Sequence, residues 1–298
     1  MLIRVKAAAL NRADLGMLRG AAHGRVGGAG TPLGLELAGD VVETGTAVTG
    51  WRVGDRVMAA SGNAFAEYAL GHAKRIYPAP EGLSFEQAAT FPVALQTEHD
   101  ALRTHGKLAE GQSVLVQGAS SGVGLLALQI ARFFGARTVL GTSTDPGRRS
   151  QLAEYGAHIA INSQDDGWVQ QVLDATSGKG VDLLIDHVAG ALANGNLEAT
   201  RIGGRIVNVG RLGGMTGTFN FDLHALRRIT YVGVTFRTRS AAEVETIVAK
   251  TTQDLLPALS TGAFKLPIHE VIPLEQAQRA FAIMQRNEHF GKIVLSVA

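Results

Sequence analysis

The hydrophobic rhythm of this 298-residue chain changes twice. Residues 1 to about 94 form short, glycine-punctuated, strand-like segments. "LIRVKAAAL" alternates, "GLELAGDVVETG" reads as a strand pair, and "GDRVMAA" and "AFAEYAL" follow. This predicts a compact, mostly β region. From about 95 to 262 short apolar runs alternate with helix-length segments: "SVLVQG", "RTVLGTS", "AHIAIN", "VDLLIDHV", "GRIVNVG" and "ITYVGVTF". Such runs suit strands buried on both faces, and their alternation with helices predicts a parallel, doubly wound sheet. After the first run, "GVGLLALQIARFFG" sets Val123, Ala127, Ile130, Ala131 and Phe134 on one helical face and stops at Gly135. From about 263, "PLEQAQRAFAIMQ" reads as a helix with Ala277, Ala280, Phe281 and Met284 on one stripe, and "GKIVLSV" as a last strand. The predicted fold class is α/β.

Composition narrows the picture. With 46% hydrophobic and 18% charged residues the chain suits a well-cored globular protein, and its length allows two domains. The 37 glycines follow no G-X-Y period, so they signal tight turns, not collagen. Net charge is +2 with Lys and Arg scattered, which argues against nucleic acid as a partner. The absence of cysteine removes disulfides, thiol catalysis and thiolate zinc sites. The nine histidines show no metal-ligand spacing, so no metal is expected. No signal segment or membrane-length apolar run is present, so the expected location is the cytoplasm, with no membrane contact.

"GASSG", residues 118–122, can be read two ways. As a dinucleotide loop, it lets Ser120, Ser121, Gly122 and Val123 offer backbone N–H groups to a pyrophosphate, beside a helix N-terminus with partial positive charge. Gly124 then permits close helix–strand packing. The match to G-x-G-x-x-G is imperfect, since Ala119 and Ser121 take the first two glycine positions. As a nucleophile elbow, it makes Ser120 a catalytic serine, with Asp186 and His269 or His289 as later partners. Context favours the dinucleotide. NAD enzymes end the second strand on a carboxylate; here it ends on Thr142 and Ser143, with Arg148 and Arg149 soon after. That pattern suits a 2′-phosphate, hence NADPH. Asp145 lies beyond the strand end.

Taken in order, "VKAAALNRADL", "GLELAGDVVETG", "VGDRVMA", "AEYAL", "GASSGVGLLALQIA", "GGRIVNVG" and "HFGKIVLSV" resemble the zinc-independent quinone oxidoreductases of the medium-chain dehydrogenase/reductase superfamily. "ALNRADL" resembles the branch that includes the p53-inducible quinone oxidoreductase. The resemblance covers essentially the whole chain. It implies a Rossmann NADP(H)-binding domain at 95–262 and a discontinuous GroES-like domain at 1–94 and 263–298. Zinc-dependent relatives carry "GHE" and a cysteine ligand; this chain has "GLE", with Leu35 in the histidine's place. Gly16 stands where members carry a tyrosine, five residues after Asn11, which implies a roomier pocket and no tyrosine proton donor. Members also begin with a β-hairpin before "LIRVKA", so an exposed edge of the β region is expected here.

The resemblance also assigns roles. Asn11 is implied beside the nicotinamide ribose or substrate, although an asparagine there also suits a turn. Thr97 in "LQTEHDAL" is implied at the nicotinamide carboxamide, or it is a helix N-terminal residue. Arg148 is implied on the 2′-phosphate, with Ser163 nearby. Val209, Gly210, Arg211 and Phe236 end strands that should open on the cofactor. Lys292 matches a family lysine near the cofactor, or is a surface lysine. The implied reaction is hydride transfer from NADPH to a quinone or an α,β-unsaturated ketone. The oxyanion would be held by Asn11, the ribose or backbone N–H groups. An enoyl-thioester or alkenal reductase and a non-catalytic NADPH-binding protein are the alternatives, together with the Ser120 hydrolase. A homodimer is the implied assembly.

Overall fold

The computed structural model describes residues 1–24 and 26–298. The chain divides into two compact units, Met1–Gln96 with Phe236–Ala298, and Thr97–Thr235.

The first unit is mostly strand: β1 Leu2–Ala9, a short helix α1 Asp14–Leu18, a small β2–β3 hairpin (Ala22–His23, Val26–Gly27), then β4 Leu37–Glu43, β5 Arg56–Ala59, β6 Tyr68–Leu70 and β7 Ile76–Pro78. Helices α2 Phe85–Ala88 and α3 Pro92–His99 lead toward the second unit. Ser84 starts α2 with a capping box, its hydroxyl taking the Gln87 N–H while the Gln87 side chain takes the Ser84 N–H. "GLELAGDVVETG" forms one strand, β4, not a pair. Seven strands make one sheet in the order β14-β15-β1-β4-β5-β7, with β6 also on β1. Its last members come from the far end of the sequence: β14 Ile268–Pro273 and β15 Lys292–Ser296. β15 pairs antiparallel with β1, Ala8 opposite Leu295, so the domain is discontinuous. Ile3, Val5, Leu37, Val57 and Ile76 form its buried core.

The second unit alternates: β8 Ser113–Gln117, α4 Gly122–Phe133, β9 Thr138–Thr142, α5 Pro146–Ser150, β10 Ile159–Ile161, α6 Trp168–Ala175, β11 Val181–Asp186, α7 Ala193–Ala199, β12 Thr200–Asn208, α8 Phe221–Arg227 and β13 Thr230–Gly233. The strand order is β10-β9-β8-β11-β12-β13, every pair parallel. In sequence terms this is 3-2-1-4-5-6, the Rossmann order, which reverses direction between β8 and β11. All five residues of β8 are buried, as expected of a central strand covered on both faces.

Helix α4 corrects one detail. Its apolar surface is not a stripe: Leu125, Leu126 and Leu128 are as buried as Ala127, Ile130 and Ala131, whereas Val123 and Phe134 are half-buried. The helix packs on β8, β9 and the turns at Asp100–His105 and Leu152–Tyr155, so nearly its whole circumference is covered.

A second difference concerns residues 236–262. Helix α9, Ala241–Ser260, belongs to the first unit because it packs on β7 and on the turn Ala73–Arg75. It is followed by β14, by α10 Ala277–Gln285 and by β15. The boundary thus falls after Thr235, not at 262. Phe236 does not end a strand: β13 stops at Gly233, and the Phe236 ring lies in the first unit with the Arg239 guanidinium 5.6 Å away. Among the described residues no helix is long and apolar enough to cross a membrane.

Candidate active site

The glycine turn joins β8 to α4 at the place where the sheet order reverses. Gly118 has φ +73°, a left-handed conformation that glycine adopts without strain. Gly124 has no room for a side chain: a Cβ there would lie 2.6 Å from the Gly118 carbonyl oxygen. Ser121 caps α4, its hydroxyl accepting from the Gly124 N–H at 3.1 Å and donating to the Gly118 carbonyl at 3.0 Å. Gly122 and Val123 occupy the first two helical positions, whose N–H groups have no partner within a helix. The turn therefore carries the chemistry of an anion cradle on a 12-residue helix.

Ser120 is not built as an elbow nucleophile. It is absent from the residues with positive φ, so the strain of an elbow is missing. Its hydroxyl accepts from Ser143 Oγ at 3.0 Å. Asp186 is held by the N–H groups of Val188 and Ala189, at 2.9 and 2.8 Å, and by Asn196 at 3.1 Å, not by a histidine.

The end of β9 gathers the residues proposed for the adenosine ribose. Thr142 accepts from the Gly118 N–H at 3.0 Å, and Arg149 donates to the Ser143 carbonyl at 2.9 Å. Asp145 caps α5 by accepting from the Arg148 N–H at 2.7 Å, so part of its carboxylate is already committed. Arg148 and Arg149 are half-buried, and Ser163 is buried just past β10.

A chain of buried polar side chains links the carboxyl ends of four strands. Thr142 donates to Gln117 at 2.7 Å, Gln117 to Asn196 at 2.8 Å, and Asn196 to Asp186. Asn208 reaches Asp186 at 3.5 Å and the Gly210 carbonyl at 3.2 Å. The N–H groups of Val209 and Gly210 both donate to the Asp186 carbonyl, and Arg211 bonds the Val209 carbonyl. Gly210 admits no side chain, since a Cβ would meet the His187 carbonyl at 2.5 Å. Sequence reasoning missed this network. Its signal was a polar residue closing each apolar run: Gln117, Thr142, Asp186 and Asn208.

His187 sits at the same switch point. Nδ1 donates to the Gln117 carbonyl at 2.9 Å, and Nε2 faces Glu98 Oε1 at 2.9 Å. Both residues are buried. Burial opposes a charge on the ring, yet the Glu98 carboxylate and the Gln117 carbonyl outweigh it and hold the ring above its ordinary range. Thr97, half-buried on α3, immediately precedes Glu98.

In the first unit Asn11, Glu36 and Lys292 form one cluster. Lys292 Nζ donates to Glu36 Oε1 at 2.5 Å and to Asn11 Oδ1 at 3.0 Å. Asn11 Nδ2 donates to Glu36 Oε1 at 2.9 Å and to the Ala9 carbonyl at 3.4 Å, and the Val93 N–H satisfies Glu36 Oε2. Both amide hydrogens of Asn11 are thus engaged, so it is not a free donor for an oxyanion. Lys292 is buried, not a surface lysine. Burial pushes Glu36 above the usual carboxylate range, against the pull of Lys292. Asp14 lies fully buried nearby, its Oδ1 without a hydrogen-bond partner among the described residues, and burial raises its carboxyl to about 7, against the pull of the Asn11 and Gly34 N–H groups.

Comparison with known proteins agrees with this architecture. The family described as alcohol dehydrogenase GroES-like domain matches residues 1–81, and that described as zinc-binding dehydrogenase matches residues 122–253. The chain is 30% identical to the quinone oxidoreductase of Rattus norvegicus over 298 residues, covering 99% of this chain and 88% of that one. It is 29% identical over 295 residues to a phenolphthiocerol/phthiocerol polyketide synthase polypeptide of Mycobacterium tuberculosis, covering 99% of this chain but only 13% of that protein's length. Among solved structures the CurK enoyl reductase superposes with a TM-score of 0.86 at 26% identity, covering 100% of this chain and 90% of that one. On the match to the rat enzyme along nearly all of both chains, and on the two domains, this protein belongs to the quinone oxidoreductase-like family of the medium-chain dehydrogenases/reductases.

Proposed function

We propose that this protein is an NADPH-dependent reductase of conjugated carbonyls, quinones or α,β-unsaturated ketones, acting without zinc. The observation that carries the reading is the glycine turn at the reversal of a 3-2-1-4-5-6 sheet, beside a second strand that ends on Thr142, with Ser143, Arg148 and Arg149 following. The N–H groups of Ser120, Ser121, Gly122 and Val123 would face the pyrophosphate. Arg148, with Ser163 nearby, would take the 2′-phosphate, and Thr142 and Ser143 would line the ribose. Thr97, Val209, Gly210 and Arg211 would fix the nicotinamide end. NADPH supplies the hydride when bound. Among the described residues the Lys292 ammonium makes two of three possible hydrogen bonds, both within the first unit.

The donor set does not fit a zinc ion, despite the name of the matched family. Leu35 replaces the histidine, the sequence has no cysteine, and both oxygens of Glu36 are engaged by Lys292, Asn11 and Val93. We further propose a homodimer in the cytoplasm. Strand β13 is a sheet edge, with Tyr231, Phe221 and Leu226 exposed beside it.

An enoyl-thioester reductase is the second reading, favoured by the polyketide synthase relative and the CurK enoyl reductase. A panel of quinones, alkenals and enoyl thioesters, with NADPH oxidation followed at each, separates the two. Tight NADPH binding without turnover on any acceptor would reject both in favour of a non-catalytic NADPH-binding protein.

A further inference from the structure

His187 touches three segments that the cofactor reading uses. Its ring bonds the Gln117 carbonyl just before Gly118, and its backbone carbonyl accepts from the Leu212 N–H at 3.2 Å, next to Arg211. Through Glu98 it also grips helix α3 one residue past Thr97. The glycine turn, the 209–212 segment and α3 therefore share one anchor, drawn from positions 89 residues apart in sequence.

We propose that His187 and Glu98 are a positioning pair that fixes Thr97 and the 209–212 segment for the nicotinamide end of the cofactor, so that the pair's shared proton governs cofactor affinity. The inference rests on the NADPH reading above. Neither residue is a catalytic group, because their side chains are 2% and 0% exposed and offer no face to a substrate. Nδ1 meets a carbonyl and must carry a hydrogen. Nε2 and Glu98 Oε1 then need one further proton between them to meet at 2.9 Å. The groups facing the ring are Glu98 from α3, the Gln117 carbonyl from β8 and Asp186 from β11. Among the described residues Glu98 Oε2 is buried with no hydrogen-bond partner, so no second bond compensates that carboxylate. Removing the proton leaves a buried carboxylate opposite a neutral ring, and α3 relieves this only by shifting or admitting water.

The test is a titration with NADPH, and with 2′-phosphoadenosine 5′-diphosphoribose, which lacks the nicotinamide, from pH 6 to 10. Wild type, Glu98→Gln and the double variant His187→Gln/Glu98→Gln are compared; in the double variant amide faces amide, so it folds if charge alone was the difficulty. In wild type, NADPH affinity stays level through neutral pH and falls about ten-fold on the alkaline side, above the ordinary histidine range. In Glu98→Gln it is about ten-fold weaker at pH 7. In both variants the alkaline break is gone. The fragment, which lacks the nicotinamide end, weakens several-fold less than NADPH in each variant. Variants that bind NADPH as wild type does, or that keep the alkaline break, overturn the proposal. So does equal weakening of NADPH and fragment, which marks a generally loosened fold. Failure of wild type to bind NADPH defeats the cofactor reading and this inference together, whereas normal wild-type binding with unaffected variants defeats this inference alone.

Discussion

Each unit buries a carboxylate against a base, and the two pairs are surrounded differently. Around Lys292 and Glu36 every Glu36 oxygen is matched, by Lys292, Asn11 and the Val93 N–H. Around His187 and Glu98 one Glu98 oxygen is left over. A fully matched pair holds its arrangement over a wide range of conditions. A half-matched pair depends on its proton. The first unit has its own leftover group, Asp14, but that residue sits beside the matched pair instead of within it.

The strongest way to break this contrast is to truncate the matched pair. Lys292→Met strands Glu36 in the interior and should cost about 3–5 kcal/mol, read from urea unfolding. Glu36→Leu combined with Lys292→Met removes both charges and should recover most of that loss. A cost for Lys292→Met below about 1 kcal/mol would show that the pair is solvated and the contrast empty.

Asp14 sharpens the comparison through pH. Its carboxyl rises from 3.8 to about 7 on folding, so the native state binds the extra proton. Stability from this group is therefore full at low pH and is lost as pH climbs from 3.8 to about 7, by about 4 kcal/mol at most. Asp14→Asn should remove that slope. Melting curves of the two proteins, subtracted across pH, isolate it; parallel curves would contradict the burial argument. His187 has the same sign in another window. Its folded value is raised, so its contribution is complete below the unfolded value of 6.5 and is lost at higher pH, as the folded ring deprotonates.

In the second unit a steric change comes next. Gly124→Ala places a Cβ 2.6 Å from the Gly118 carbonyl oxygen and should cost about 1–3 kcal/mol while weakening nucleotide binding. Ser120→Ala should change stability by about 0.5 kcal/mol or less, since among the described residues its hydroxyl bonds only Ser143, and should remove no esterase activity because none is expected.

The sheet of the second unit was legible in the sequence because its strands are apolar runs of strand length between helices. The glycine turn was legible because its residues act locally. The boundary after Thr235 was not: α9 has an ordinary amphipathic pattern, and only its packing on β7 assigns it. The stripe expected on α4 failed because neighbours cover the helix on several sides, which periodicity alone does not reveal. Asn11 was singled out, yet the bonds that occupy its amide come from Glu36 and Ala9, and its oxygen is met by Lys292, 281 residues away. A lone histidine such as His187 says nothing until Glu98 is placed against it.

In the proposed function the glycine turn and the end of β9 hold NADPH. Parallel titrations with NADPH and NADH, followed by nicotinamide fluorescence in wild type and Arg148→Ala, test it directly. The account predicts tight NADPH binding, weak NADH binding, and loss of about ten-fold or more of that preference in the variant with NADH affinity unchanged. Equal affinity for both nucleotides would contradict the assignment of Arg148, and binding of neither would contradict the reading of the turn.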